Sequence, residues 1–214
     1  MDLVPLAPNG CLLGPLGCYQ MGGSLGGAGW HGSEEEESIR TIQHAHTLGV
    51  NLLDTAEGYG DGHSERLIGR ALVGRRDRYV IATKVAPPDE DESESEARQR
   101  VKTACTGSLQ RLRTDYIDVY QLHGVPPTRL MPAVVEELAG LQQAGKIRCW
   151  GISTNDGEAI RELLGLGDLA MAQVGLSIVN QTADDALTIA LEVNMGTLIR
   201  VPPVSYTHPR AHET

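Results

Sequence analysis

Tyr116-Ile117-Asp118-Val119-Tyr120-Gln121-Leu122-His123 is a largely apolar run that stops on an imidazole. Two earlier runs behave alike. Asn51-Leu52-Leu53-Asp54 stops on a carboxylate, and Tyr79-Val80-Ile81-Ala82-Thr83-Lys84 stops on an amine. A strand that buries itself has no local reason to end on such groups, and burying any of them unpaired is costly. If the three runs are parallel neighbours, their C-terminal ends converge, and acid, amine and imidazole meet at one mouth.

Working outward from these runs, the chain alternates strand and helix. A strand over 50–54 precedes a helix over 64–72, and one over 79–84 precedes a helix over about 95–112. The strand 116–122 leads to a helix begun near Pro132, where proline suits the first turn, and closed by Gly145. Strands over 148–153 and 171–176 are followed by helices over about 156–164 and 184–195, and 197–201 reads as one more strand. Before all of these, Asn9-Gly10 between short apolar runs predicts a β-hairpin, and Leu16 to Gln20 a strand. Ser33 with Glu36 reads as a capping box. It opens a helix whose face is Ile39, Ile42, Ala45 and Leu48 and which stops at Gly49.

Repeated alternation implies a parallel sheet with helical crossovers. The expectation is an α/β fold, a (β/α)8-type TIM barrel that is incomplete, with about seven βα units after the hairpin. Active sites of such barrels sit at the C-terminal ends of the strands, and a full barrel takes about 250 residues against 214 here. Residues 1–203 are read as the barrel. Val204 to Thr214 carries neither helical nor strand period and is expected to be a tail unrelated to it, appended to a truncated frame.

Acidic residues outnumber basic ones 28 to 18, which argues against nucleic acid and anionic membrane as partners. The acidic runs Glu34–Glu37 and Asp89–Glu96 read as solvated helix starts and loop. No apolar stretch is long enough to span a bilayer, and the N-terminus shows no secretory pattern. Cys11, Cys18, Cys105 and Cys149 lack CxxC spacing, so reduced thiols in a cytoplasmic protein are expected. No metal site is expected.

The stretch Asp54-Thr55-Ala56-Glu57-Gly58-Tyr59-Gly60, with His63-Ser64-Glu65 and Ile68-Gly69 after it, closely resembles the aldo-keto reductase signature. So do Ile81-Ala82-Thr83-Lys84, Asp115-Tyr116-Ile117-Asp118 with Leu122-His123, and Gly145-Lys146-Ile147-Arg148 with Gly151-Ile152-Ser153. The resemblance runs from the hairpin through about Pro202. It implies a β/α barrel that reduces aldehyde or ketone carbonyls to alcohols, or the reverse, with NADP(H) expected over NAD(H). The substrate would be a small carbonyl compound or a sugar-like molecule.

Carried over by position, the catalytic tetrad is Asp54, Tyr59, Lys84 and His123. The residue types suit the chemistry. A tyrosine holds its proton at neutral pH and can give it to a developing alkoxide. A neighbouring lysine is expected to lower the tyrosine pKa, Asp54 to hold Lys84 charged and aimed, and His123 to orient the carbonyl. Taken singly, Asp54 and Lys84 also fit a structural ion pair, Tyr59 a packed loop aromatic, and His123 a structural histidine. Their joint placement favours the active site.

The resemblance also implies cofactor contacts from Cys18, Asp54, Ser153, Asn155, Gln173 and Arg200. Thr154 stands where the family has asparagine, with Asn155 one place later. Arg200 aligns with a tyrosine that stacks on the nicotinamide, and a guanidinium can stack too; its alternative is a rim ion pair. The pattern for gripping the cofactor phosphates does not follow Pro203, and the glycines Gly22, Gly23, Gly26 and Gly27 lack the spacing to replace it. A cofactor-binding regulatory subunit that turns over slowly, or an inactive reductase fragment, are the competing readings.

Overall fold

The computed structural model describes residues 16–22 and 35–200. The expected hairpin, the glycine-rich stretch, Ser33 and the C-terminal tail lie outside them. Seven strands form one parallel sheet in sequence order: β1 (Leu16–Gly17), β2 (Leu52–Asp54), β3 (Val80–Val85), β4 (Ile117–Leu122), β5 (Ile147–Ser153), β6 (Met171–Gly175) and β7 (Gly196–Arg200). Helices α1 (Glu35–Thr47), α2 (His63–Ala71), α3 (Glu94–Leu112), α4 (Met131–Gln143), α5 (Gly157–Leu166) and α6 (Asp184–Glu192) occupy the crossovers. This is the incomplete β/α barrel that the alternation predicts. Among the described residues, β1 and β7 are its two edges.

Local chemistry sets the boundaries. Ser93 caps α3 in a reciprocal box with Glu96, so part of the acidic run Asp89–Glu96 is a helix cap, as its position suggests. Asp156 caps α5 through the Ala159 amide at 3.1 Å. Gly49 and Gly145 take φ of 88° and 69° where α1 and α4 turn into the next strands, a conformation that glycine adopts at little cost. The Glu36 carboxylate accepts from Arg70 at 2.8 Å, while the expected box with Ser33 falls outside the described residues. The first strand is also shorter than expected. After Gly17 the Cys18 amide donates to the Asp54 carbonyl at 2.8 Å, Met21 turns back onto the Cys18 carbonyl, and the chain enters a 3-10 turn at Tyr19–Gly22.

Two apolar layers follow from strands covered on both faces. The inner one is small: Leu52, Ala82, Val119, Met171 and Leu198 fill the concave side, with Val80 and Cys149 against them. The outer one joins strands to helices through residues such as Ile81, Ile117, Tyr120, Trp150 and Val174. Close approach matters at Gly151, where an added Cβ would lie 2.6 Å from the Met171 carbonyl oxygen. Glycine there lets β5 and β6 pack in register.

At the opposite end from the strands' C-termini, Asp118 anchors β4. Its carboxylate accepts from the Ile81 amide at 2.9 Å and from Arg76 at 2.6 Å, and pairs with Arg148 at 3.1 Å. Arg76 and Arg148 flank the Tyr116 ring at 4.2 and 4.4 Å. Removing the carboxylate strands a buried amide and a largely buried guanidinium. Asp118→Ala is therefore expected to cost about 3 kcal/mol or more, read from the shift of the denaturant midpoint against the parent chain.

Candidate active site

The sheet brings the predicted tetrad together at the C-terminal end of its strands. Lys84 is the last but one residue of β3, inside its buried run, and is 1% exposed. Its ammonium donates to Asp54 Oδ1 at 2.8 Å, to the Thr55 carbonyl at 2.8 Å and to the Tyr59 hydroxyl at 3.4 Å. Asp54 closes β2, so the pair spans adjacent strands. Its second oxygen accepts from Gln173 Nε2 on β6 at 2.9 Å. The ion pair is thus held on three sides, which is the condition for a buried pair to persist.

Tyr59 lies on the loop between β2 and α2. Its amide donates to the Ala56 carbonyl and its carbonyl accepts from the Ser64 amide, so the loop folds back over the strand end. His123 follows β4 directly, its amide bonded to the Val85 carbonyl at 2.8 Å. Its ring stands edge-on to Tyr59, 5.7 Å between centroids. Tyr19 packs edge-on against the other side of Tyr59 at 5.0 Å, and it is half exposed.

The electrostatics depart from one expectation. Tyr59 is not lowered by its lysine. Burial first, and the Asp54 charge second, push its pKa up to about 12, against a smaller opposing pull from Arg200. The phenol therefore keeps its proton at every physiological pH. Burial also lowers the Lys84 pKa, and the Asp54 carboxylate works against that fall. His123 reaches solvent at the rim, yet desolvation by the mouth and then the Lys84 charge bring its imidazole down to about 4. A neutral imidazole with one N–H is the form able to donate without carrying charge.

The expected cofactor residues divide into two groups. Ser153 and Gln173 are register partners on β5 and β6, both buried. Gln173 Oε1 is buried with no hydrogen-bond partner among the described residues, so it fits an amide donor arriving at the mouth. Cys18 is buried, and burial first and the Asp54 charge second push its thiol up to about 12, which keeps it protonated. Arg200 lies at the end of β7, where its guanidinium would be 3.5 Å from a Cβ added at Gly175, and its charge is felt by Tyr59 and His123. Asn155 is committed elsewhere. Its amide takes the Gly175 carbonyl at 3.0 Å, the Gly175 amide at 2.7 Å and the Thr182 hydroxyl at 2.9 Å. It ties the loop after β5 to the end of β6.

Residues 20–202 match the sequence profile of the Aldo/keto reductase family. The chain belongs to that family. It is 40% identical over 142 residues to the aldo-keto reductase YhdN of Bacillus subtilis (strain 168), covering 64% of this chain and 42% of that protein. It is 34% identical over 206 residues to the NADH-specific methylglyoxal reductase of Escherichia coli (strain K12), covering 87% of this chain and 62% of that one. Among solved structures, an aldo/keto reductase from Klebsiella pneumoniae in complex with NADP and acetate superposes with a TM-score of 0.77 at 28% identity, over 93% of this chain and 66% of that one. The holo form of an aldo-keto reductase from Bacillus halodurans gives 0.75 at 30% identity, over 88% and 61%. The chain thus spans 42% and 62% of the lengths of the two curated relatives.

In this aldo/keto reductase chain two features of the mouth go beyond the sequence reading. Tyr19 falls in the expected strand 16–20, and only the early turn carries it against Tyr59. Ser64 and Glu65 belong to the signature, which assigns them no role; both are buried, and the Ser64 amide donates to the Tyr59 carbonyl. Among the described residues, no cluster of His, Cys, Asp or Glu could hold a metal ion, and no helix is long and apolar enough to cross a membrane.

A lowered histidine pKa means the unfolded state binds the proton more readily. Stability from this group is present above pH 6.5 and is lost as pH falls through about 4. Imidazole NMR across that range should show His123 still neutral at pH 6, with its assignment checked by the signal missing from His123→Asn.

Proposed function

We propose that this chain is the catalytic part of an NAD(P)-dependent oxidoreductase that interconverts aldehydes or ketones and alcohols. The observation that carries the reading is the buried Lys84 ammonium, shared between Asp54, the Thr55 carbonyl and the Tyr59 hydroxyl at the end of a parallel sheet. A structural ion pair needs no phenol as its third partner, nor a neutral imidazole facing that phenol.

In this reading Tyr59 is the general acid, protonated because burial and Asp54 hold its proton on. As negative charge builds on the substrate oxygen, the Lys84 ammonium stabilises the emerging phenolate. Asp54 keeps Lys84 aimed, and His123 donates its N–H to the carbonyl and sets its angle. In the oxidative direction the same groups run in reverse, with phenolate accepting the alcohol proton. Gln173 Oε1 and the Ser153 hydroxyl would hold the carboxamide of a nicotinamide, with Cys18 and Asp54 beneath and Arg200 at the rim. Asn155 would act through the strand end it braces. A bound nicotinamide supplies the hydride. NADP(H) is favoured by the structural neighbours solved with NADP and NADPH, while the relative from Escherichia coli is named NADH-specific. The substrate is a small carbonyl compound, and a sugar-like one fits the same chemistry.

Titration with NADPH, followed by nicotinamide fluorescence and then by a panel of small aldehydes, tests the reading. Saturable binding with turnover is expected. Tyr59→Phe should retain the binding and lose about a hundredfold or more in reduction. Binding without turnover would instead mark a regulatory subunit, and absence of binding an inactive piece of a reductase; either defeats the proposal.

A further inference from the structure

The first turn of α2 makes buried polar contacts that the proposed reaction does not use. Ser64 and Glu65 are both 0% exposed. Ser64 Oγ accepts from Thr55 Oγ1 at 2.8 Å and donates to the Cys18 carbonyl at 2.9 Å. Glu65 accepts from Thr83 Oγ1 at 2.6 Å on one oxygen and from Arg111 Nε at 2.6 Å on the other.

These contacts close a ring. Thr83 is the residue before Lys84 in β3. The Lys84 ammonium donates to the Thr55 carbonyl, the Thr55 hydroxyl donates to Ser64, and Ser64 adjoins Glu65, which returns to Thr83. The Cys18 carbonyl on Ser64 ties in Asp54 as well, because the Cys18 amide is bonded to the Asp54 carbonyl. Tyr59 hangs from the span between Thr55 and Ser64, and its own carbonyl accepts from the Ser64 amide at 3.2 Å. Three members of the tetrad therefore lean on this one turn of helix.

Simple helix packing does not call for this arrangement. Holding α2 against the strands could be done by apolar side chains at lower cost than a fully buried carboxylate. What directed polar contacts add is direction: each fixes a distance between two backbone segments, and small misplacements at a reacting centre cost rate out of proportion to their size.

We propose that Ser64 and Glu65 are positioning residues that set the spacing between the Tyr59 hydroxyl and the Lys84 ammonium. This rests on the reading of Tyr59 as the acid. Glu65 holds β3 and α2 at a set separation through Thr83, while Arg111 neutralises it from α3. Ser64 holds the two ends of the Tyr59 loop together.

The test uses the full chain, in the parent form and as Glu65→Gln, Ser64→Ala, Ser64→Thr and Thr83→Val. Turnover of a small aldehyde with NADPH is measured alongside the tyrosine ring signal in 13C-tyrosine-labelled protein, with the Tyr59 signal identified by its loss in Tyr59→Phe. Expected for Glu65→Gln, Ser64→Ala and Thr83→Val is a fall in kcat of about tenfold to a hundredfold, with KM and NADPH affinity unchanged and a displaced Tyr59 signal. Ser64→Thr keeps the hydroxyl and should restore both. Arg76→Leu is the control for instability alone; it should melt earlier with kcat and the Tyr59 signal unmoved. If the three variants lose activity only in step with their folded fraction, and Tyr59 does not move, the proposal is overturned. Thr83→Val covers the case in which Glu65→Gln does not fold. Should the parent chain show no turnover, the reaction assignment fails, but the ring signal still decides: displacement in the variants supports the positioning role, and an unmoved signal overturns it.

Discussion

A charged amine sealed inside the end of a barrel strand is the constraint on which the rest of this site depends. Taking an ammonium out of water costs several kcal/mol even after relaxation, and only partners placed on all sides return it. Lys84 finds them in the Asp54 carboxylate, the Thr55 carbonyl and the Tyr59 hydroxyl. Each partner constrains something else. Asp54 fixes the relation of β2 to β3, Thr55 fixes the start of the loop after β2, and Tyr59 is drawn to the one place from which its hydroxyl faces the mouth.

The same buried pair sets the chemistry of its neighbours. Tyr59 feels Asp54 and the loss of water more than it feels any cation, so it stays a phenol. His123 feels Lys84 and the loss of water more than it feels Asp54, so it stays neutral. One ion pair thus holds two uncharged donors beside each other, as the proposed proton delivery requires. Gln173 extends the pair to the far side of the sheet by donating to Asp54, and keeps its carbonyl oxygen unspent.

Behind the mouth the supports are polar but serve packing. Asp118 with Arg76 and Arg148 braces β3 and β4 at the other end of the strands, and Asn155 ties the loop after β5 to β6. A parallel sheet has no hairpins to set the relation of one strand to the next, so side-chain struts of this kind fix strand ends that the backbone ladder alone leaves adjustable.

The sequence by itself determined the alternation of strand and helix, the ends of most elements and the four residues at the mouth. Apolar runs, the proline at 132 and the glycines at 49 and 145 are local signals, and each acts within a few residues of where it is read. Tertiary structure alone decided what crosses long separations. The bond from Gln173 to Asp54 joins residues 119 positions apart, and no periodicity announces it. Asn155 stands one place from the family asparagine, and only the folded chain brings the Gly175 backbone and Thr182 to its amide. Tyr19 falls within the expected strand, but the 3-10 turn closed by the Met21 amide on the Cys18 carbonyl ends that strand early. The Tyr59 shift runs opposite to the sequence expectation for the same reason: a neighbouring lysine is a local fact, but burial and the field at a buried oxygen are sums over the whole fold.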